Sequence, residues 1–147
     1  MDTEEDLGDL RSSNNRYFKR TCKMAKRHLD TFDLDMLSHH AAIIVKGGRI
    51  LSSGTNNKKR NKFVHLHYAH YSGFHAESAA IYRALHEHKT DLKDAVVYVV
   101  RVRKDGSVAN SKPCKHCQKL LTKYGVRRAL YSNDIGGMEM MRLNQKD

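Results

Sequence analysis

The fold is decided by HAESAAIYRALHEH (residues 75–88), AVVYVVRV (residues 95–102) and PCKHCQKLLTKY (residues 113–124). The first segment is rich in alanine and places apolar residues on one helical face, so it predicts a helix. The second is a nearly unbroken β-branched run, typical of a central strand that is covered on both faces. Within the third, Lys115 to Tyr124 predicts another helix, and Gly125 supplies its C-terminal stop.

Upstream of these segments, the pattern predicts one helix and two strands. Apolar residues recur at spacings of four and three between residues 18 and 29, which indicates an amphipathic helix. It begins at Ser12 or Ser13, both good N-cap types, and ends near Thr31. The short apolar run from His39 to Val45 and the segment from Arg49 to Ser53 are separated by a glycine pair, so they predict a hairpin.

Downstream, Arg127 to Ser132 and Met138 to Leu143 predict the last two strands. The residues between them leave room for a turn but not for a helix, which favours a direct antiparallel return. The resulting order α, β, β, α, β, α, β, β implies helices packed on a single mixed sheet. The long polar segment from Gly54 to Phe74 is a loop, and loops of this length are usually functional or mobile.

The bulk composition is that of one soluble domain. The chain has 147 residues, of which 39% are hydrophobic and 29% charged. We interpret residues 1–11 as an acidic flexible tail and residues 12–147 as the domain. No stretch approaches the roughly 20 apolar residues of a membrane span, and the N-terminus lacks a basic signal region. These features predict an intracellular, soluble protein of the cytoplasm or nucleus with no membrane association.

The net charge of +11 indicates which kind of molecule the protein binds. The first ten residues contain five of the sixteen acids and no lysine, so the rest of the chain is still more basic. Clustered Lys and Arg attract phosphates, which favours a polyanionic partner or an anionic substrate. A basic surface that only maintains solubility is the alternative.

Two short motifs carry the predicted chemistry: His75-Ala76-Glu77 and the cysteine pair Cys114 and Cys117. Cysteines separated by two residues place both thiolates on one cation, and one histidine completes three protein ligands. The open fourth position holds water, whose pKa the metal lowers enough to provide hydroxide near neutrality. Glu77 is not needed as a ligand and can move the proton. We therefore predict one catalytic Zn2+; a structural zinc knuckle is the alternative.

HxE followed by PCxxC, with a strand between the motifs, a helix after each and two strands before them, resembles the zinc-dependent cytidine and deoxycytidylate deaminase superfamily. The resemblance extends over roughly residues 39–143. It implies a single-domain α/β fold of three layers, in which helices pack on both faces of a mixed five-stranded sheet and a β-hairpin ends the chain. It also implies hydrolytic conversion of cytosine to uracil with release of ammonia.

The resemblance further implies substrate contacts. Asn56 stands where superfamily members hydrogen-bond the sugar or base, with Asn57 as its alternative. The backbone of Ala76 and the region of Cys114 commonly contact the base, and Ser111 is a further candidate for that pocket. Four cations follow Asn56 and could meet phosphates, although a solvated loop is an equal alternative. They are Lys58, Lys59, Arg60 and Lys62.

Residues 65–74 contain three histidines and three aromatic residues, and residues 65–70 are the histidine-rich part. These side chains could stack on a base or gate the pocket. A second metal site is the alternative, but the ligand spacing is not that of a known site.

Chain topology after the second motif separates branches of the superfamily. Relatives that act on deoxycytidylate, transfer-RNA adenosine and single-stranded DNA resemble one another in a helix between the fourth and fifth strands. The direct hairpin predicted here is more similar to the free-cytidine branch and to some toxin or RNA-editing branches. The substrate therefore stays open between these branches.

Our prediction is a deaminase of cytidine or deoxycytidylate. One alternative is a cytosine or adenosine deaminase that acts on single-stranded DNA or RNA. Another, of a different class, is an inactive zinc-stabilised domain that binds nucleic acid. The predicted partner is accordingly a pyrimidine nucleoside or nucleotide, or a single-stranded nucleic acid. Superfamily members often form dimers or tetramers, so a homo-oligomer is compatible with the sequence.

Overall fold

The computed structural model describes residues 15–32, 38–56 and 75–143. In chain order the elements are α1 (Arg16–Phe32), β1 (His39–Lys46), β2 (Arg49–Thr55), α2 (Ala76–Tyr82), β3 (Val96–Val102), β4 (Val108–Ala109), α3 (Lys115–Lys123), β5 (Arg128–Ser132) and β6 (Met138–Arg142). A π-helical turn, Arg83–Glu87, continues α2. The predicted order of helices and strands is confirmed, with β4 as an addition.

The strands form one mixed sheet in the order β2-β1-β3-β5-β6, and β4 pairs with β3. Strands β3 and β5 run parallel, whereas β1–β2, β1–β3 and β5–β6 are antiparallel pairs. Parallel neighbours need a crossover connection, and α3 lies within this one. The mixed sheet and the direct C-terminal hairpin are thus confirmed. The two-residue strand β4 was not predicted, because it is too short to show a periodic pattern.

Alternate residues of each central strand face opposite layers. In β1, Ala42 and Ile44 pack in the same cluster as the apolar faces of α2 and α3, whereas Ala41 and Ile43 pack in the cluster that contains Phe18 of α1. The sheet is therefore covered on both faces, which confirms the three-layer arrangement. Across the three described ranges, no helix combines the length and apolarity that crossing a membrane requires.

Helix α1 begins at Arg16, so the predicted start at Ser12 or Ser13 is wrong. Asn15 caps the helix: its Oδ1 accepts hydrogen bonds from the backbone N–H of Tyr17 at 2.8 Å and from that of the next residue at 3.2 Å. Asparagine and serine are about equally good N-caps, so the sequence alone does not choose between neighbouring candidates. The two serines lie outside the described residues.

Gly54 allows β2 to approach α2 closely. A Cβ atom at this position would lie 2.6 Å from the backbone nitrogen of Ala80 and 2.7 Å from the backbone oxygen of Ala76. We expect Gly54→Ala to lower the free energy of unfolding by about 1–3 kcal/mol, because the helix must move to make room. Chemical denaturation measures this change. Ser53→Ala on the same strand is the control, expected within about 0.5 kcal/mol of wild type; equal stability of both variants would contradict the close approach.

Candidate metal centre and substrate cavity

The first turns of α2 and α3 bring the two sequence motifs together. His75 is the N-cap residue of α2 and Cys114 is that of α3, yet neither side chain caps its own helix. Instead the side chains meet: His75 Nδ1 lies 3.8 Å from Cys114 Sγ and 3.4 Å from Cys117 Sγ. The positive end of the α3 dipole also favours thiolates at its start.

The three side chains fit one zinc ion. Their ligand atoms all lie within 4.8 Å of one another. A tetrahedral zinc with bonds of roughly 2.3 Å to sulfur and 2.0 Å to nitrogen holds those two atoms about 3.5 Å apart. The two measured sulfur–nitrogen distances, 3.8 and 3.4 Å, bracket this value. One imidazole and two thiolates also form a donor set found in catalytic zinc sites. The predicted ligand set of His75, Cys114 and Cys117 is thus placed to bind one metal ion.

Without a metal, His75 and Cys117 hold their protons tightly. A hydrogen bond with Cys114 raises the pKa of His75. A hydrogen bond with Cys114, together with burial, raises the pKa of the Cys117 thiol well above its usual range. A coordinated thiol is deprotonated outright, and metal binding requires a deprotonated imidazole nitrogen as well. Zinc binding here therefore competes with protons, and we expect the affinity to weaken as the pH falls.

A cavity of about 240 Å³ opens beside the metal ligands. Glu77 lies on its wall and is only 4% exposed. Burial raises the pKa of its carboxyl group to about 7. A carboxyl group that titrates near neutrality can both accept and return a proton at physiological pH. The residues around the cavity are Ser38, His40, Asn56, His75, Ala76, Glu77, Ser111, Lys112 and Cys114.

The structure places the three predicted substrate contacts, Asn56, Ala76 and Ser111, on this wall. Both polar atoms of the Asn56 side chain form hydrogen bonds. Its Oδ1 accepts a hydrogen bond from the backbone N–H of His40 at 2.8 Å, and its Nδ2 donates to the carbonyl oxygen of Ser38 at 3.0 Å. The amide is therefore held in a defined orientation at the cavity.

The hydroxyl group of Ser111 belongs to the scaffold. It donates a hydrogen bond to the carbonyl oxygen of Val99 at 2.8 Å and accepts one from the backbone N–H of Ser132 at 2.9 Å. These bonds connect the segment before the cysteine motif to β3 and β5. Ser111 is 3% exposed and forms part of the cavity wall. Its hydroxyl group donates its hydrogen bond to the protein backbone and not into the cavity.

Other predicted residues lie outside the described part of the chain. They are Asn57, Lys58, Lys59, Arg60, Lys62 and the histidine-rich residues 65–70. Conversely, sequence reasoning missed Ser38, His40 and Lys112 on the cavity wall. Burial, aided by the nearby charge of Arg101, lowers the pKa of His40 to about 4, so its imidazole is neutral. The position of Lys112 on the cavity wall could have been predicted from the sequence, because Lys112 directly precedes the proline of the cysteine motif.

Comparison with solved structures agrees on the fold. Cytidine deaminase from Mycobacterium leprae superposes with a TM-score of 0.54 at 21% identity, covering 84% of this chain and 92% of that chain. The dCMP deaminase from the cyanophage S-TIM5 superposes with a TM-score of 0.51 at 20% identity, covering 78% and 81%. The same phage enzyme in complex with dCMP and dUMP also gives 0.51 at 20% identity, covering 78% and 79%. At such identities the likeness shows the fold alone.

Sequence comparison identifies the family. No curated protein matches the chain in sequence. Residues 11–133, however, match the family profile described as the cytidine and deoxycytidylate deaminase zinc-binding region. The match covers most of the chain and includes both motifs of the metal centre. The chain therefore belongs to the zinc-binding family of cytidine and deoxycytidylate deaminases.

Proposed function

We propose that this protein is a zinc-dependent hydrolytic deaminase that converts cytosine to uracil in cytidine or deoxycytidylate and releases ammonia. The observation that carries the proposal is the cavity in which the buried carboxyl group of Glu77 lies beside His75 and Cys114. Family membership supports the reaction. The nucleotides bound to the phage dCMP deaminase support a free nucleotide as the substrate. The direct β5–β6 hairpin resembles the free-cytidine branch, and some toxin and RNA-editing branches share it, so among the free substrates it supports cytidine rather than deoxycytidylate.

The site residues have two roles, metal binding and proton transfer. His75, Cys114 and Cys117 would hold the zinc ion. When bound, zinc supplies a Lewis acid that lowers the pKa of water enough to provide hydroxide near neutrality. Glu77 accepts the proton on a carboxylate oxygen, gives it to the ring nitrogen, and then moves a proton to the departing amine. A C–O bond forms at C4 and the C–N bond breaks there, so water and cytosine become uracil and ammonia.

Substrate orientation falls to Asn56 and Ala76. An amide nitrogen carries two N–H groups, and Asn56 donates one of them to Ser38. We assign the other to the sugar or base of the substrate. Ala76 is the first residue of α2, and the N–H groups of a first helical turn have no partner within the helix. Its backbone N–H is therefore suited to an acceptor atom of the base.

Mass spectrometry of the zinc-loaded protein tests the proposal. The protein is offered cytidine, deoxycytidine, their monophosphates, and mixed-sequence single-stranded DNA and RNA. We expect a mass increase of about 1 Da, the exchange of an amine for a carbonyl group, in a nucleoside or nucleotide. Conversion confined to polynucleotides would favour the second candidate below. Stoichiometric zinc with no conversion of any substrate would contradict the proposal.

A second candidate function, deamination within single-stranded nucleic acid, is favoured by a basic groove. The groove lies between α3 and β6 and has a volume of about 540 Å³. Four cations line it: Lys115, Lys119, Lys123 and Arg142. None of them takes part in the two ion pairs found among the described residues. Lys115 directly follows Cys114 in the chain, and lysines four residues apart on a helix follow one another at about 6 Å. Such a row suits consecutive phosphates.

Charge removal in this groove tests the second candidate. For Lys115→Gln/Lys119→Gln, the slope of log affinity against log salt concentration should become shallower by about 1.4, because two phosphate contacts to a single strand are lost. Fluorescence anisotropy with a labelled oligonucleotide at several salt concentrations measures the slope. Lys93→Gln, an exposed lysine before β3, is the control. An unchanged slope in the double variant would exclude the groove as a strand-binding surface.

A further inference from the structure

His28 links helix α1 to the substrate cavity, although α1 packs on the sheet face opposite to α2 and α3. Its Nε2 lies 2.8 Å from the carbonyl oxygen of Asn56, a residue of the cavity wall. Its Nδ1 lies 2.7 Å from Nδ1 of His39. The two histidines are 5% and 0% exposed. A pair of buried rings thus connects the far layer of the fold to the cavity.

The partners fix which ring nitrogens carry protons. The carbonyl oxygen of Asn56 can only accept a hydrogen bond, so Nε2 of His28 must be the donor. Burial lowers the pKa of His28, so its ring is neutral and its Nδ1 is an acceptor. Nδ1 of His39 must then donate to it. Two hydrogen bonds therefore run in one direction, from His39 to His28 and from His28 to Asn56.

Asn56 needs such support because it lies just beyond the end of β2 at Thr55. Within residues 15–32, 38–56 and 75–143, its side chain and its backbone N–H bond to the start of β1 and the residue before it, namely His40 and Ser38. Its carbonyl oxygen bonds to His28. The hydrogen bond from α1 is thus the contact that holds the Asn56 backbone from the opposite side.

We propose that His28, supported by His39, is a positioning residue that orients Asn56 toward the substrate. The inference rests on the proposed function, in which Asn56 contacts the sugar or base. It predicts that the substrate is bound tightly only when the side chain at position 28 is long enough to donate a hydrogen bond to the carbonyl oxygen of Asn56. The two ring nitrogens of His28 bond to His39 and to Asn56, so we expect substitutions at position 28 to leave the metal ligands in place.

Two substitutions of His28, by glutamine and by asparagine, differ in side-chain length but share the same amide group. The amide nitrogen of His28→Gln can occupy the place of Nε2 and still donate to Asn56, whereas the shorter His28→Asn can reach only His39. We expect His28→Asn to raise the KM for the deaminated nucleoside or nucleotide about tenfold, the equivalent of one hydrogen bond, with kcat nearly unchanged. We expect His28→Gln to restore KM to nearly the wild-type value. Arg27→Gln, an exposed neighbour on the same helix, is the control.

A double-variant cycle ties the effect to Asn56. In an Asn56→Ala background, His28→Asn should cause no further rise in KM, because the group that it positions is gone. Equal KM values for His28→Asn and His28→Gln, or a further rise in the Asn56→Ala background, would overturn the proposal.

A nuclear magnetic resonance measurement distinguishes this inference from the proposed function. Long-range proton–nitrogen spectra of the histidine rings should show the proton of His28 on Nε2 and that of His39 on Nδ1, whether or not the protein deaminates any substrate. An inactive wild-type protein with these tautomers would refute the proposed function and leave the hydrogen-bond chain supported. The opposite tautomers in an active protein would overturn the positioning role alone.

Discussion

Glu77→Gln is expected to lower turnover by about 10²–10⁴-fold while one zinc ion per chain stays bound. Glutamine keeps the size and shape of the side chain, but its amide group cannot accept and return a proton. Glu77 is 4% exposed and lines the cavity next to His75, so no bulk water can replace it efficiently. The measurement pairs kcat on the substrate identified by mass spectrometry with zinc content by elemental analysis.

Glu87→Gln is the matched control for this variant. Glu87 lies in the π-helical turn that continues the same helix, and its side chain is 55% exposed beside Arg83. Removing this charge should leave both turnover and zinc content unchanged. If Glu77→Gln lost its zinc, the carboxyl group would be a structural element of the metal centre. Full activity of Glu77→Gln would exclude it as the proton shuttle.

Cys117→Ser should lose stoichiometric zinc and all measurable turnover. Cys117 is the buried member of the ligand set and lies 3.4 Å from His75 Nδ1, so serine leaves one soft ligand missing from a site of three. Zinc that binds only the folded chain stabilises it, by about 2.7 kcal/mol at a free concentration a hundred times the Kd. We therefore also expect a lower Tm in zinc-containing buffer, and the wild-type protein treated with a chelator should show the same Tm.

Cys22→Ala is the control for the loss of a thiol. Cys22 lies on α1 and packs against the apolar cluster on the opposite face of the sheet. It should keep one zinc ion per chain, with only a small loss of stability from the missing sulfur. Stoichiometric zinc in Cys117→Ser would show that the metal is held by a different set of ligands.

The parts of the site that were predictable are local in sequence. His75 and Glu77 are two residues apart, the two cysteines are three apart, and both groups open helices with clear apolar faces. The apolar run of β1 and the β-branched run of β3 likewise predicted two strands of the sheet, because each pattern is complete within one strand. Short-range spacing was therefore enough to predict the metal centre.

The parts that were missed depend on contacts between distant segments. His40 reaches the cavity because β1 pairs antiparallel with β3 and sets it opposite Arg101. No spacing within β1 reveals that register. His28 of α1 reaches Asn56 just beyond the end of β2, a contact across 28 positions of sequence. The phosphate contacts proposed for Lys58, Lys59, Arg60 and Lys62 remain predictions.

The metal centre joins two segments, one before β3 in the chain and one after it. His75 and Cys114 are separated by 39 positions, and β3 lies between their two helices in the chain. Closing a segment of this length costs entropy that the bound metal can offset only afterwards. During synthesis, a nascent chain would hence acquire its high-affinity site only after Cys117 has left the ribosomal tunnel. Metal capture would then report that the first turns of α2 and α3 have met.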